Sequence, residues 1–222
     1  MSGRRASRIS RSFGYNHSLT RSAHRATIPA PFAKGAGMQT LIPTLWRTCR
    51  VLANPQRLNC LRAVSRRPGL CVSDLAKDTG ERVGVTSQYL RDLQARGLIA
   101  ARRWSRWTFY DPVADSSVGH ASVVLTAALR AIEKEAYPYI FATAAFAVFA
   151  HPRRLQILWV LRLDGVSGLS AIRRQTGISE RALLRHLPVL AAVGVVKKDA
   201  DGWKRAAHST ALLQTLVRET CR

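Results

Sequence analysis

The chain has 222 residues, of which 47% are hydrophobic, and a formal net charge of +22 from 35 Lys and Arg against 13 Asp and Glu. This composition excludes a wholly disordered chain and suffices for one or two folded cores. The positive charge favours an anionic partner such as nucleic acid. No apolar run reaches the roughly 18 residues of a membrane span. Four irregularly spaced cysteines without a secretory signal favour a reducing compartment, so we expect a cytoplasmic protein without a membrane partner.

Residues 1–37 are rich in Arg and Ser and contain neither Asp nor Glu. Because no helical periodicity is sustained here, the composition predicts a disordered basic arm that adds phosphate contacts. An organellar transit peptide has the same composition. A third interpretation is that translation starts at Met38, which would make the segment an artefact of start-site assignment. These alternatives stay open at the level of sequence.

The segment 72–99 has the pattern of two short helices joined by a tight turn. Ser73 and Asp74 are candidates to cap the first helix, and Gly80 breaks it. Such a helix-turn-helix needs a third helix behind it, and residues 52–61 supply one that starts near a proline. Apolar residues at helical spacing from Met38 onward predict a further helix before it.

Two β-prone runs follow at 98–110, in the sequence LIAARRWSRWTFY, and flank a basic turn. They predict a β-hairpin, the wing of a winged helix. Apolar residues at intervals of three and four predict a long helix over 115–136 that ends before Pro138. The apolar stretch 138–150 predicts another buried helix.

An internal repeat relates the two parts of the chain. The segment FAHPRRLQIL at 149–158 reproduces LANPQRLNCL at 52–61 with an offset of 97 residues. The same offset relates Gly80 to Gly177, Leu90 to Leu187, Leu93 to Leu190, and Gly97 to Gly194. We therefore predict a mainly α fold with small β-wings, in which two winged helix-turn-helix domains stand in tandem at 38–136 and 137–222, joined by long linking helices.

The two halves differ in the second helix of the motif. Ser179 is a candidate cap for the later copy, but Pro188 falls in its third turn and predicts a kinked or short helix. The later wing, at 197–205, has an acidic tip. These differences predict a weaker, divergent second reader.

The motifs LANPQRLNCL, GLCVSDLA and QYLRDLQARGLI, followed by RRWSRWTFY, resemble those of the ArsR-type bacterial winged-helix transcription regulators. The resemblance covers about residues 45–110 well and 145–205 more weakly. It implies a dimer built on the first and last helices of each domain. It also implies a recognition helix in the major groove, with wings over the neighbouring backbone or minor groove.

The resemblance assigns candidate DNA contacts by position. In the first half the residues at groove-facing positions or beside the turn are Arg82, Val85, Ser87, Gln88 and Tyr89. Gln88 has the amide geometry to pair with adenine, and Ser87 bonds to base edges or phosphate. Arginines placed for phosphate contacts are Arg91, Arg102, Arg103 and Arg106. A solvated helix face is the alternative interpretation of Tyr89 and these arginines.

In the second half the matching candidates are Arg181, Arg185 and His186, whereas Leu184 and Glu180 are poor DNA contacts. Four tryptophans are candidates to stack on bases, although we favour packing within the fold for them. They are Trp104, Trp107, Trp159 and Trp203.

Many ArsR-type regulators bind a metal or arsenite through a Cys-x-Cys in the first helix of the motif, because adjacent thiolates ligate a soft ion. Here the positions read Cys71-Val72-Ser73, so the second thiolate is missing. His120, Glu133 and Glu135 lack the spacing of a zinc site. We expect no metal and no cofactor. Common hydrolase, phosphate-loop and CxxC motifs are absent from the sequence, so we expect a protein without enzymatic activity.

Together these observations predict a sequence-specific regulator that binds double-stranded DNA, a repressor associated with the bacterial nucleoid. We expect its two domains to form an internal pseudo-dimer, with a homodimer of chains as the alternative. The rival function is a protein-interaction or non-sequence-specific nucleic-acid-binding protein built on winged helices. The ratio of specific to non-specific affinity distinguishes the two.

Overall fold

The computed structural model describes residues 45–133, 139–207 and 210–220. The predicted arm at 1–37, the start of the first predicted helix at Met38 and the predicted helix end at Pro138 lie outside these ranges, as does Glu135. The helices of the first half are α1 (Leu45–Leu52), α2 (Pro55–Arg66), α3 (Val72–Thr79), α4 (Val83–Gln94) and α5 (Ala121–Glu133). Its strands are β1 (Leu70–Cys71), β2 (Ala100–Trp104) and β3 (Trp107–Asp111).

The helix-turn-helix consists of α3 and α4, with α2 behind them. Pro55 starts α2 after Asn54, whose side chain accepts a hydrogen bond from the Arg57 backbone N–H at 2.9 Å. α3 ends at Gly80, which has a φ of +71°, a conformation that glycine adopts without strain. The predicted helix pair and its supporting third helix are confirmed.

The predicted cap of α3 is wrong. The N-cap residue is Cys71, and neither Ser73 nor Asp74 caps the helix because both already lie within it. β1 pairs with β3 up to Cys71, so the chain turns into the helix directly from the strand. Ser73 Oγ and Asp74 Oδ2 instead lie 2.9 Å and 3.1 Å from the Cys71 sulfur.

β2 and β3 form the hairpin predicted as a wing, and we call this hairpin the first wing. β1, a two-residue strand that sequence periodicity did not indicate, joins it in an antiparallel sheet of order β1-β3-β2. Tyr110 of β3 is 7% exposed and fixes the inner face of the wing against the core.

α5 starts later than the predicted helix over 115–136. Residues 115–120 form a turn in which Asp115 Oδ1 accepts hydrogen bonds from the Ser117 backbone N–H at 2.9 Å and its hydroxyl at 2.6 Å. This local bonding satisfies the backbone without a helix, which explains why helical spacing in this stretch was misleading. His120 closes the turn with a φ of +69°.

The second half repeats the order of elements of the first. Its helices are α6 (Tyr139–Phe149), α7 (Pro152–Asp164), α8 (Leu169–Thr176), α9 (Glu180–Ala192) and α10 (Ala211–Thr220). Its strands are β4 (Val166–Ser167), β5 (Val196–Asp199) and β6 (Gly202–Arg205), in a sheet of order β4-β6-β5. The hairpin β5–β6, which we call the second wing, follows α9 as the first wing follows α4.

Pro188 lies inside α9, and the helix continues past it. Of the two predicted effects of this proline, a kink or a short helix, the short helix is wrong. Pro188 has no N–H, so the Leu184 carbonyl lacks its helical hydrogen-bond donor. Both residues lie on the exposed side of α9, where water can bond that carbonyl. Leu187 and Leu190 are fully buried on the opposite side and hold the helix in place.

The two halves share one hydrophobic core. α1 packs against α6, and α5 packs against α10, so the first and last helices of each half meet their counterparts. Phe146 and Phe149 of α6 are fully buried at this junction. His120 Nδ1 and Glu219 Oε2 lie 3.2 Å apart and add a polar contact between the halves.

We predict that Gly97→Ala destabilises the fold by about 2–4 kcal/mol in urea unfolding, since Gly97 has a φ of +66° and a Cβ there would lie 2.9 Å from the Val118 Cβ. The matched control is Gly194→Ala. Gly194 has a φ of +73° but has no atom within 4 Å of the added Cβ, so it should lose only about 1 kcal/mol. Equal losses of stability in the two variants would contradict a close approach between residue 97 and Val118.

Candidate nucleic-acid interface

α4, the second helix of the helix-turn-helix, is buried on one side and exposed on the other. Leu90 and Leu93 are fully buried against the core. Gln88 and Arg91 are exposed on the opposite side, and Arg82, the N-cap residue that precedes the helix, is also exposed. The remaining predicted contacts of this helix are partly buried, and they are Val85, Ser87 and Tyr89. Tyr89 also packs against the core, so it is less available than the three exposed residues.

A hydrogen-bond network fixes the Gln88 side chain. Gln88 Nε2 donates to Asp92 Oδ1 at 2.9 Å, and an Arg91 guanidinium nitrogen donates to Gln88 Oε1 at 3.0 Å. Both ends of the amide are thus engaged, so any ligand of this side chain would have to replace these hydrogen bonds.

Arg57 of α2 extends this network into the scaffold. Its guanidinium donates to Asp92 Oδ2 at 2.8 Å and to the Val51 carbonyl at 2.8 Å. Sequence reasoning did not assign either Arg57 or Asp92. The signal was available, because Gln88, Arg91 and Asp92 have the i, i+3 and i+4 spacing of helix neighbours.

The first wing carries three exposed arginines, which are Arg102, Arg103 and Arg106. The Arg102 guanidinium lies 3.7 Å from Asp111, and 72% of its side chain is exposed. Burial raises the pKa of Tyr110, and the nearby Arg91 charge opposes that rise. Exposed arginines thus lie both on α4, at Arg91, and on the first wing.

The four tryptophans considered for base stacking divide into two pairs. Trp159 and Trp203 pack against the core, so the favoured interpretation as packing residues is confirmed for them. For Trp104 and Trp107 that interpretation is wrong. Trp104 is 76% exposed and Trp107 is 46% exposed, because both lie at the end of the first wing beyond the core.

In the second half the structure separates the three predicted contacts. Arg181 and Arg185 are exposed on α9. His186 is only 8% exposed, so its prediction as a DNA contact is wrong. Its ring centroid lies 4.6 Å from that of His151. The signal was present in the sequence, because Leu183, His186, Leu187 and Leu190 have the spacing of one helix face.

The second wing differs from the first in charge and in aromatic content. Lys197 and Lys198 are exposed, but Asp199 accepts a hydrogen bond from Lys204 that lowers the pKa of its carboxyl. This internal pairing occupies one of the basic side chains.

Among the residues that the structure describes, no group of three or more His, Cys, Asp and Glu is placed to hold a metal ion. Cys49, Cys60 and Cys71 are buried and free. Burial raises the pKa of the Cys60 thiol to about 11, so this sulfur is protonated at neutral pH. Within the described ranges no helix has the length and apolar character needed to cross a membrane.

The fold and this basic surface define the class, a helix-turn-helix protein with small antiparallel sheets. Within it, residues 54–101 match the model of the family described as "Bacterial regulatory protein, arsR family". The match runs from the cap of α2 to the first residues of β2 and contains α3 and α4. The similarity supports a DNA-binding transcription regulator. A comparison with curated proteins returns no match.

We predict that His186 makes stability pH-dependent. Burial, then His151 and the neighbouring arginines lower its pKa from 6.5 to about 4. As pH falls, the unfolded chain therefore takes up a proton on this ring at a higher pH than the folded chain does. The free energy of unfolding is greatest above about pH 6.5 and falls by on the order of 2 kcal/mol as pH approaches 4.

The measurement is the urea midpoint across that pH range, with His186→Phe as the comparison. The variant lacks the titrating ring and should lose most of this pH dependence. An unchanged slope in the variant would show that another group is responsible.

Proposed function

We propose that this protein is a sequence-specific regulator of transcription, a repressor, that binds double-stranded DNA. The observation that carries the proposal is that α4, which lies in the segment 54–101 similar to arsR-family regulators, and the first wing that follows it both expose arginines. A repressor acts by occupying a site, which requires no catalytic group.

The roles of the residues follow from their chemistry. Gln88 reads a base edge in the major groove, where an amide pairs with adenine, and Ser87 contacts base or phosphate. Arg91, Arg103 and Arg106 neutralise phosphates and set the register on the duplex. The contacts of Asp92 with Arg57 and Gln88 hold the reading amide to the scaffold.

The two halves are proposed to be related domains at 38–136 and 137–222. Their equivalent arginines make equivalent contacts. Arg57 donates to the Val51 carbonyl at 2.8 Å, and Arg154, which lies 97 residues later, donates to the Val148 carbonyl at 3.2 Å. Each is preceded by a side chain that caps the same helix, Asn54 or His151.

The proposed arrangement of the domains is an internal pseudo-dimer. α1 and α6 are counterparts at the 97-residue offset, α5 and α10 are counterparts in the order of elements, and each packs against its counterpart. Contacts between equivalent elements are the geometry of a two-fold interface within one chain. Two reading helices then address neighbouring half-sites about one helical turn apart.

The second half is proposed to bind DNA more weakly. It offers Arg181 and Arg185 on α9, but Leu184 is 54% exposed beside them, and the second wing has an acidic tip. The preferred site is therefore asymmetric. The alternative function, a protein-interaction module, is favoured by this same exposed Leu184 and by Val189, which is 38% exposed.

We predict that Arg103→Ala and Arg106→Ala each reduce the slope of log affinity against log salt by about 1, because each removes one phosphate contact. Gln88→Ala should lower discrimination for a selected site by about ten-fold, since a base contact is lost. Titration of labelled duplexes across a salt series measures both effects.

The matched control for these variants is Arg130→Ala, which removes an exposed arginine from the groove between α5 and α10. It should leave the salt slope and the discrimination unchanged. If all duplexes compete equally with wild type, the sequence-specific reading is wrong, and the interaction or non-specific alternative replaces it.

We predict that the chain is a monomer at micromolar concentration, because the helices expected to form a dimer interface are already paired within the chain. Sedimentation velocity tests this directly. An obligate dimer of chains would contradict the internal pseudo-dimer.

A further inference from the structure

The outer face of the first wing is aromatic. Residues directly opposite each other on paired strands share one face of the sheet. Trp104 is paired with Trp107, and Arg102 with Phe109. Tyr110 marks the inner face, since it is buried and alternates with this set along β3. The four side chains therefore point away from the core.

The two indoles take no part in the hydrophobic core of the residues that the structure describes. Trp104 is 76% exposed, and neither indole belongs to the core or to the residues packed against it. Burying a tryptophan is strongly favourable, so two exposed indoles side by side mark a surface that contacts a partner.

The charges around the indoles indicate the kind of partner that this surface binds. The Arg106 guanidinium lies over the Trp107 ring, 5.7 Å from its centroid, and Arg102 and Arg103 are exposed on the same wing. A partner that suits this surface combines flat apolar faces with closely spaced negative charges. Nucleic-acid bases and their phosphates have that combination.

The second wing shows that the aromatic pair is not a requirement of the hairpin. There Trp203 lies opposite Lys198 and packs against the core, and Asp199 and Gly202 flank the turn. A hairpin of the same topology thus folds in this protein without exposed indoles.

We propose that Trp104 and Trp107 form a wedge that stacks against a base step of duplex DNA, while the wing arginines hold the adjacent phosphates. This inference rests on the proposed function and deepens it by assigning the first wing a contact with bases. Stacking at a step favours sequences that unstack easily, such as pyrimidine–purine steps, so the wedge contributes sequence preference by deformation of the duplex.

The test compares duplex binding by wild type, Trp104→Ala/Trp107→Ala and Trp104→Phe/Trp107→Phe, using a labelled mixed-sequence duplex that contains a central TA step. The alanine variant should lose about ten-fold or more in affinity, and this loss should persist as salt rises, because stacking is less salt-sensitive than phosphate contact. The phenylalanine variant keeps flat rings and should recover most of the affinity. Wild-type tryptophan emission should be quenched by the duplex.

The control is Ile140→Ala, which removes an exposed apolar side chain, 79% exposed, from α6 rather than from the wing. Circular dichroism checks that each variant is folded. If the alanine variant binds like wild type and DNA leaves the emission unchanged, while Arg91→Ala still weakens binding, the wedge is wrong and the proposed function stands.

Two other results overturn the wedge. If wild type binds no duplex, both the wedge and the proposed function are wrong. If anionic phosphatidylglycerol vesicles shift the tryptophan emission to the blue and DNA does not change it, the aromatic face contacts a membrane surface instead.

Discussion

The burial of α6 is the constraint on which the arrangement of the two halves depends. This helix is apolar around most of its circumference, so no single neighbouring helix can cover it. It packs against α1, α2 and α5 of the first half and against α7 and α10 of the second half, and Phe146 and Phe149 are fully buried. The halves therefore share one core, and buried leucines anchor both α4 and α9 to it.

The proposed reading surface is tied to this core by hydrogen bonds. Arg57 is tied to the Val51 carbonyl and to Asp92, and Asp92 is tied to Gln88. These hydrogen bonds hold the proposed reading amide to the same scaffold that joins the halves. The corresponding position in α9 is Arg185, and the counterpart of Asp92 is Val189, so the second helix has no equivalent network. This difference between the two halves supports the proposed asymmetric site.

Much of this architecture was predictable, because short-range chemistry determines it. Pro55 and Gly80 mark helix ends through backbone preferences that act locally. The cap of α3 was not predictable, since β1 is set by pairing with a distant strand. His186 was misassigned because the 97-residue repeat places it at the position of Tyr89, although it lies on the apolar face of α9. Exposure of Trp104 depends on how far the hairpin extends beyond the core, which composition does not encode.

The most direct test of the central claim is selection of bound duplexes from a random-sequence pool by the full chain, followed by footprinting of the enriched sequence. The account predicts one enriched asymmetric site, protected over two neighbouring major grooves by a single chain, with stronger protection in one half-site. A perfect palindrome bound by two chains would contradict the internal pseudo-dimer. Failure to enrich any sequence would contradict sequence-specific regulation itself.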